Sequence, residues 1–159
     1  KAVTKIGNDN LFMAYAHVAH DCIVGDSNVF ANSAGIAGHV EVGNFVTIGG
    51  FSAVHQFCIL GDYSFVGMNS SITMDVPAYV KVASNPARAI GLNSVGMSRN
   101  EISSESISLI KKAYKLVYKK GYRLEDAVNK LIMLSGESDD KFLDTFIKSI
   151  QSSTRGILR

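Results

Sequence analysis

The chain has 159 residues, of which 47% are hydrophobic and 19% charged, with two cysteines and no tryptophan. These proportions suit an ordinary folded domain and exclude a low-complexity or disordered protein. No run approaches the roughly 18 consecutive apolar residues of a spanning helix, and the opening Lys1-Ala2-Val3-Thr4-Lys5-Ile6-Gly7 lacks the apolar core of a signal peptide. A cytoplasmic protein without membrane insertion is expected. Net charge is +2 but unevenly placed: residues 1–80 hold two basic and six acidic groups, and residues 81–159 hold fourteen basic and eight acidic. A basic module beside an acidic one points to an anionic partner such as a nucleotide phosphate, nucleic acid or an acidic protein; solvated lysines on helices are the plain alternative.

From the first residues onward an apolar side chain recurs every six positions: Ile6, Phe12, Val18, Val24, Phe30, Ile36, Val42, Ile48, Val54, Leu60, Val66 and Ile72. Most are followed by Gly or Ala, and four places later comes a small or medium residue, a register that includes both Cys22 and Cys58 and gives them a packing role. Period six fits neither an amphipathic helix nor a simple alternating strand. It fits short strands that turn a corner every six residues, with Gly and Asn tolerating the unusual corner dihedrals, so that three strands close one coil of eighteen. The pattern resembles the hexapeptide-repeat proteins, whose fold is a left-handed parallel β-helix, and the expected β-helix covers residues 1–80.

The prism is expected to stop near Asp75-Val76-Pro77, and residues 81–97 read as an extended or loop connection with Asn85-Pro86 as a turn and Gly91 and Gly96 as punctuation. Residues 98–159 read as a small three-helix C-terminal domain. The first helix is capped by Ser103 or Ser104, carries the stripe Ile107, Ile110, Tyr114 and Val117, and ends at Gly121. The second, about 123–134, carries Leu124, Ala127, Leu131 and Leu134, and the third, about 139–152, carries Phe142, Phe146 and Ile150.

An eighteen-residue coil fixes which residues stack, about 4.8 Å apart, along each edge. Ala19, Ala37 and His55 form one column, His20, Gly38 and Gln56 the next, and Asp21, His39 and Phe57 the third. All four histidines (His17, His20, His39, His55) fall in this neighbourhood. Such a cluster serves either a metal ion, as in the zinc-dependent γ-type carbonic anhydrases, or proton transfer. The adjacency of His20 and Asp21, with Gly38 and Gln56 stacked beside them, favours a general base with a carboxylate partner and no metal.

The strings Ala16-His17-Val18-Ala19-His20-Asp21-Cys22, Ala37-Gly38-His39-Val40, Gly49-Gly50, Val54-His55-Gln56-Phe57-Cys58, Asp75-Val76-Pro77 and Ser153-Thr154-Arg155-Gly156-Ile157-Leu158-Arg159 resemble the UDP-N-acetylglucosamine O-acyltransferases that open lipid A synthesis in Gram-negative bacteria. The resemblance implies a cofactor-free homotrimer with active sites between subunits, moving a 3-hydroxyacyl chain from acyl carrier protein to the 3-position of a UDP-amino sugar. It makes His20 the general base, Asp21 its orienting partner and the Gly38 N–H an oxyanion donor. It gives His17 and His39 the sugar and pyrophosphate, His55 and Gln56 the acyl donor or nucleotide, Asn93 and Arg99 the UDP moiety, and Gly50 and Met68 the acyl-chain groove. The basic residues Lys111, Lys112, Lys115, Lys119, Lys120 and Arg123 become a docking face for the acidic carrier; nucleic acid is not expected, because no aromatics interleave them. The family normally begins several coils earlier, so the chain reads as its C-terminal part, and an acidic residue that touches the sugar lies in the earlier coils. Whether the acceptor bears a 3-hydroxyl or a 3-amino group stays open. The sibling N-acyltransferase, a zinc-dependent β-helix and a non-catalytic scaffold are the alternatives.

Overall fold

A computed structural model describes residues 3–159. Twelve two-residue strands recur every six residues: Lys5–Ile6 (β1), Leu11–Phe12 (β2), His17–Val18 (β3), Ile23–Val24 (β4), Val29–Phe30 (β5), Gly35–Ile36 (β6), Glu41–Val42 (β7), Thr47–Ile48 (β8), Ala53–Val54 (β9), Ile59–Leu60 (β10), Phe65–Val66 (β11) and Ser71–Ile72 (β12). β1 to β9 each pair in parallel with the strand eighteen residues on, as in Ile6↔Val24 and Val18↔Ile36, which makes three sheets and four coils of a parallel β-helix. The second residue of each strand points inward. Phe30, Ile36, Ile48, Leu60, Val66 and Ile72 are fully buried, each such side chain contributing roughly 1.5–3 kcal/mol. Cys22 and Cys58 are free, buried thiols within this register, and burial pushes the Cys58 thiol up to about 11.

The corners correct one expectation. Positive φ falls every sixth residue from Asp9 to Asn69, at 55–65°, and none of those eleven residues is glycine. Glycine stands two places earlier, at Gly7, Gly25, Gly43, Gly49, Gly61 and Gly67. There the requirement is room: a Cβ on Gly49 would lie 2.5 Å from the Met68 nitrogen and 2.7 Å from the Gly67 carbonyl carbon of the next coil. The left-handed residues cost roughly 1–2 kcal/mol each. Eight of them gain a hydrogen bond across the coil, for Ser27, Ser33, His39, Phe45, Phe51, Phe57, Tyr63 and Asn69 donate their N–H to the carbonyl nineteen residues earlier.

At Asp75 the regular turn ends. Its carboxylate, 1% exposed, accepts from the Ile59 N–H at 2.7 Å and the Ser153 hydroxyl at 2.7 Å, while its backbone pairs with Gly156 and Leu158. Val80–Ala83 (β13) still adds in parallel to β11, and Arg88–Leu92 (β14) folds back antiparallel on β13. Two compact units result: residues up to Asn93 with Ser153–Arg159, and Ser94–Ser152. The terminal segment, grouped by sequence with the helices, thus belongs to the β-helical unit because Asp75 holds it.

The second unit contains Ser94–Arg99 (α1), Ser104–Tyr118 (α2), Leu124–Gly136 (α3) and Lys141–Gln151 (α4). The six-residue α1 is too short to register a 3.6-residue period, which is why sequence reads a connection there. Ser103 caps α2, its hydroxyl accepting from the Ser106 N–H, and Ser106 donates onward to Asp140, the cap of α4. The stripe of α2 is buried as expected. On α4 the buried set is Leu143, Phe146, Ile147 and Ile150, whereas Phe142 lies beneath the Lys141 ammonium. No helix of the described residues is long and apolar enough to cross a membrane.

Because the corner glycines supply clearance, Gly49→Ala is expected to lower unfolding free energy by about 1–3 kcal/mol in denaturant titration, through overpacking. An unchanged midpoint would show that the coils separate easily at that corner.

Candidate active site

Three corners run along the prism, and they differ in their second residue. One is an Asx ladder: the Asn8 N–H donates to Asp26 Oδ1, Asp26 N–H to Asn44 Oδ1, and Asn44 N–H to Asp62 Oδ1, at 2.6–2.8 Å. Another places Asn32, Gly50 and Met68 in register. The third carries Ala19-His20-Asp21, Ala37-Gly38-His39 and His55-Gln56-Phe57 on successive coils, with Asp21, His39 and Phe57 at φ 60°, 61° and 65°.

On this third corner the side chains converge. His20 Nδ1 lies 2.8 Å from Asp21 Oδ2, and His39 Nε2 lies 3.8 Å from the same oxygen. Side-chain exposures of 73% for His20, 43% for His39 and 17% for Asp21 put the imidazoles at the surface over a sheltered carboxylate. The His39 ring meets His20 edge-on at 5.3 Å. One polar atom from each of the three residues lies within 4.8 Å of the others, so the donor set could also take a transition metal ion. The arrangement also suits proton transfer: with the ring proton on Nδ1 toward Asp21, Nε2 carries the lone pair a base needs.

Gly38 belongs to the same construction. A Cβ there would stand 2.6–3.1 Å from three atoms of the His20 imidazole, which therefore lies against the bare glycine. Its carbonyl accepts from Phe57, but among the described residues its N–H has no acceptor, unlike the corresponding groups of the Asx ladder. An unpaired donor thus sits directly beside the imidazole.

The other predicted residues are more dispersed. His17 is exposed on β3, and His55 turns Nδ1 to the Gln56 carbonyl at 3.1 Å; among the described residues neither joins the His20–Asp21–His39 group. Gln56 is exposed in the His20 column. Gly50 and Met68 lie in the neighbouring corner, Met68 with 72% exposure. Asn93 is buried, its side-chain amide donating to the Tyr63 carbonyl at 2.9 Å, and Arg99 is exposed in the last turn of α1 in the helical unit. Sequence columns placed Phe57 beside His39 without giving it a role; in the structure its ring lies flat on the imidazole, centroids 4.7 Å apart.

The same combination of coils and helices is found in known proteins. A family model described as UDP N-acetylglucosamine O-acyltransferase, domain 2, matches residues 75–158, and a model for bacterial transferase hexapeptide repeats matches residues 4–38. The acyl-(acyl carrier protein)–UDP-N-acetylglucosamine O-acyltransferase of Pseudomonas aeruginosa is 45% identical over 161 positions, covering 100% of this chain and 61% of the relative. Among solved structures, the UDP-N-acetylglucosamine O-acyltransferase of Moraxella catarrhalis matches with a TM-score of 0.94 at 47% identity, over 99% of this chain and 60% of that one. LpxA of Acinetobacter baumannii matches with a TM-score of 0.91 at 44% identity, over 97% and 59%. The chain spans about three-fifths of the length of these relatives. With a left-handed parallel β-helix, its hexapeptide coils and the following helices, the chain belongs to the UDP-N-acetylglucosamine O-acyltransferase family.

Proposed function

We propose that this chain carries the catalytic corner of an acyltransferase that moves a 3-hydroxyacyl group from acyl carrier protein to the 3-position of UDP-N-acetylglucosamine in lipid A biosynthesis. The observation that carries the reading is the 2.8 Å pairing of His20 Nδ1 with Asp21, which supports a ring proton on Nδ1 and Nε2 as the base. His20 takes the proton of the acceptor 3-hydroxyl as its oxygen attacks the thioester carbonyl. The negative charge that develops on the carbonyl oxygen is met by the unpaired Gly38 N–H. Collapse of the tetrahedral intermediate breaks the carbon–sulfur bond, and protonated His20 returns its proton to the departing carrier thiolate. No covalent acyl-enzyme is needed. Cys22 and Cys58 are buried inside the prism, and burial holds the Cys58 thiol in its neutral form.

Substrate roles follow the columns. His17 and His39 would face the sugar and pyrophosphate, His55 and Gln56 the acyl donor or nucleotide, and Asn93 and Arg99 the UDP moiety. The buried Asn93 amide supports that role chiefly by holding its own backbone in place, whereas Arg99 has the planar donor set that matches phosphate. Gly50 and Met68 would border the acyl groove. Exposed apolar residues on the prism, among them Tyr15, Ile23 and Phe51, support a homotrimer with sites between subunits. The exposed Lys111, Lys112, Lys115, Lys119, Lys120 and Arg123 of the α2 region support docking of an acidic carrier protein.

Substituting His20→Ala is expected to lower kcat about a thousandfold, the usual scale for a general base, with an unchanged melting temperature. A chelator should leave wild-type turnover intact; loss of activity on chelation would favour the zinc-dependent reading. Met68→Gly should shift donor preference toward longer acyl chains, since each added methylene in an opened groove gains about 0.8 kcal/mol, and an unchanged chain-length profile would remove Met68 from the groove. The KM for the acyl carrier thioester should rise severalfold between about 50 mM and 500 mM salt through screening, whereas constancy would argue against the basic docking face.

A further inference from the structure

The column that holds Asp21 and His39 ends on an aromatic ring that the proposed reaction leaves unused. Phe57 stacks face to face on the His39 imidazole, with centroids 4.7 Å apart and planes 12° from parallel. His39 meets His20 at 89°, edge to face, and directs Nε2 toward the oxygen that His20 Nδ1 already holds. Asp21 Oδ2 thus faces two imidazoles, one at 2.8 Å and one at 3.8 Å.

An imidazole on an exposed corner can rotate about χ1 and flip about χ2, so its presentation to a neighbour needs an outside constraint. For His39 the polar contact with Asp21 is long, and among the described residues its side chain makes no hydrogen bond. The flat face of Phe57 supplies the constraint. It restrains the ring from tilting and so presents the His39 edge to His20 and Asp21. We propose that Phe57 is a positioning residue of the active site, which holds His39 in register with the His20–Asp21 pair. The proposal rests on the reading of His20 as the base.

The molecule provides its own control. On the Asx corner, Phe45 stacks on Tyr63 at 4.7 Å and 9°, and Tyr63 stacks on Tyr79 at 5.5 Å, with the same left-handed backbone at Phe45 (φ 57°) and, among the described residues, no histidine ring stacked on them. If stacking along a corner served only the coil, the two columns would respond alike.

The test compares Phe57→Leu, Phe57→Tyr, Phe45→Leu, His39→Ala and the His39→Ala/Phe57→Leu double variant in acyl transfer. Melting temperatures and the NMR signals of 13C-labelled histidines are recorded without substrate. Phe57→Leu and Phe45→Leu should lower the melting temperature similarly. Only Phe57→Leu should lower kcat/KM, on the order of tenfold for a misplaced active-site ring, with recovery in Phe57→Tyr. The double variant should be no slower than His39→Ala alone, because the two residues act as one unit. Loss of the Phe57 ring current should move the His39 ring signals and, through the shared carboxylate, those of His20. Kinetics of Phe57→Leu that match Phe45→Leu, or losses that multiply with His39→Ala, would overturn the proposal. If Phe57→Leu proves unstable, Phe57→Met, apolar but without a flat face, decides the same question. Should the wild type transfer no acyl group, the acyltransferase reading fails by itself. The NMR comparison then stands alone, and a His20 signal indifferent to Phe57→Leu rejects the positioning role.

Discussion

The left-handed turn at every sixth residue, fastened by a hydrogen bond to the carbonyl nineteen residues earlier, is the constraint on which the rest of the β-helix depends. Without it the two-residue strands would run straight on, and no side of the prism would close. The conformation is unfavourable for most L-residues and each hydrogen bond gains only about 0.5–1.5 kcal/mol net, so neither term decides the fold. The inward aliphatic stack does, because one closed coil brings Val24, Phe30 and Ile36 together and the next coil covers them. The same coil length that stacks the core also stacks the corners. It is how Asp21, His39 and Phe57, far apart in sequence, come to lie along a single edge.

Much of this arrangement is legible in the residue string. The six-residue period gives strand positions, coil length and columns, and the columns bring His20, Asp21, Gly38 and His39 to one edge. Other features escape because they depend on distances between backbones or on ring orientation. The corner glycines read naturally as residues for unusual dihedrals, yet Gly49 is required by the proximity of Gly67 and Met68, while Tyr15 and Phe51 take the left-handed positions. The placement of Ser153–Arg159 with the β-helix rests on Asp75, through its carboxylate to Ser153 and its backbone to Gly156 and Leu158, which no periodicity announces. On α4, Leu143 and Ile147 join the core in place of Phe142, a rotation of one residue within an amphipathic pattern.

The candidate site also shows how little the solenoid must add to become chemically active. For the proposed general base, the αL corner places Asp21 next to His20 in sequence and within hydrogen-bonding reach in space. The proposed oxyanion donor is the Gly38 N–H, which has no acceptor among the described residues and lies beside the same ring. Both come from two adjacent coils, without a loop insertion, so the site inherits the rigidity of the core beneath it. The basic surface of α2 belongs to a different unit, and the task proposed for it is recognition by charge at a distance.

The Asx ladder has a consequence for how such molecules diversify. On the Asx corner the side chains of Asp26, Asn44 and Asp62 silence the backbone of the preceding coil; on the His20 corner, among the described residues, the Gly38 donor stays available. The coil geometry is the same in both cases. A prism of this kind therefore has three equivalent edges on which reactivity is switched by the identity of single residues, and new chemistry can arise on a silent edge while the old one keeps working.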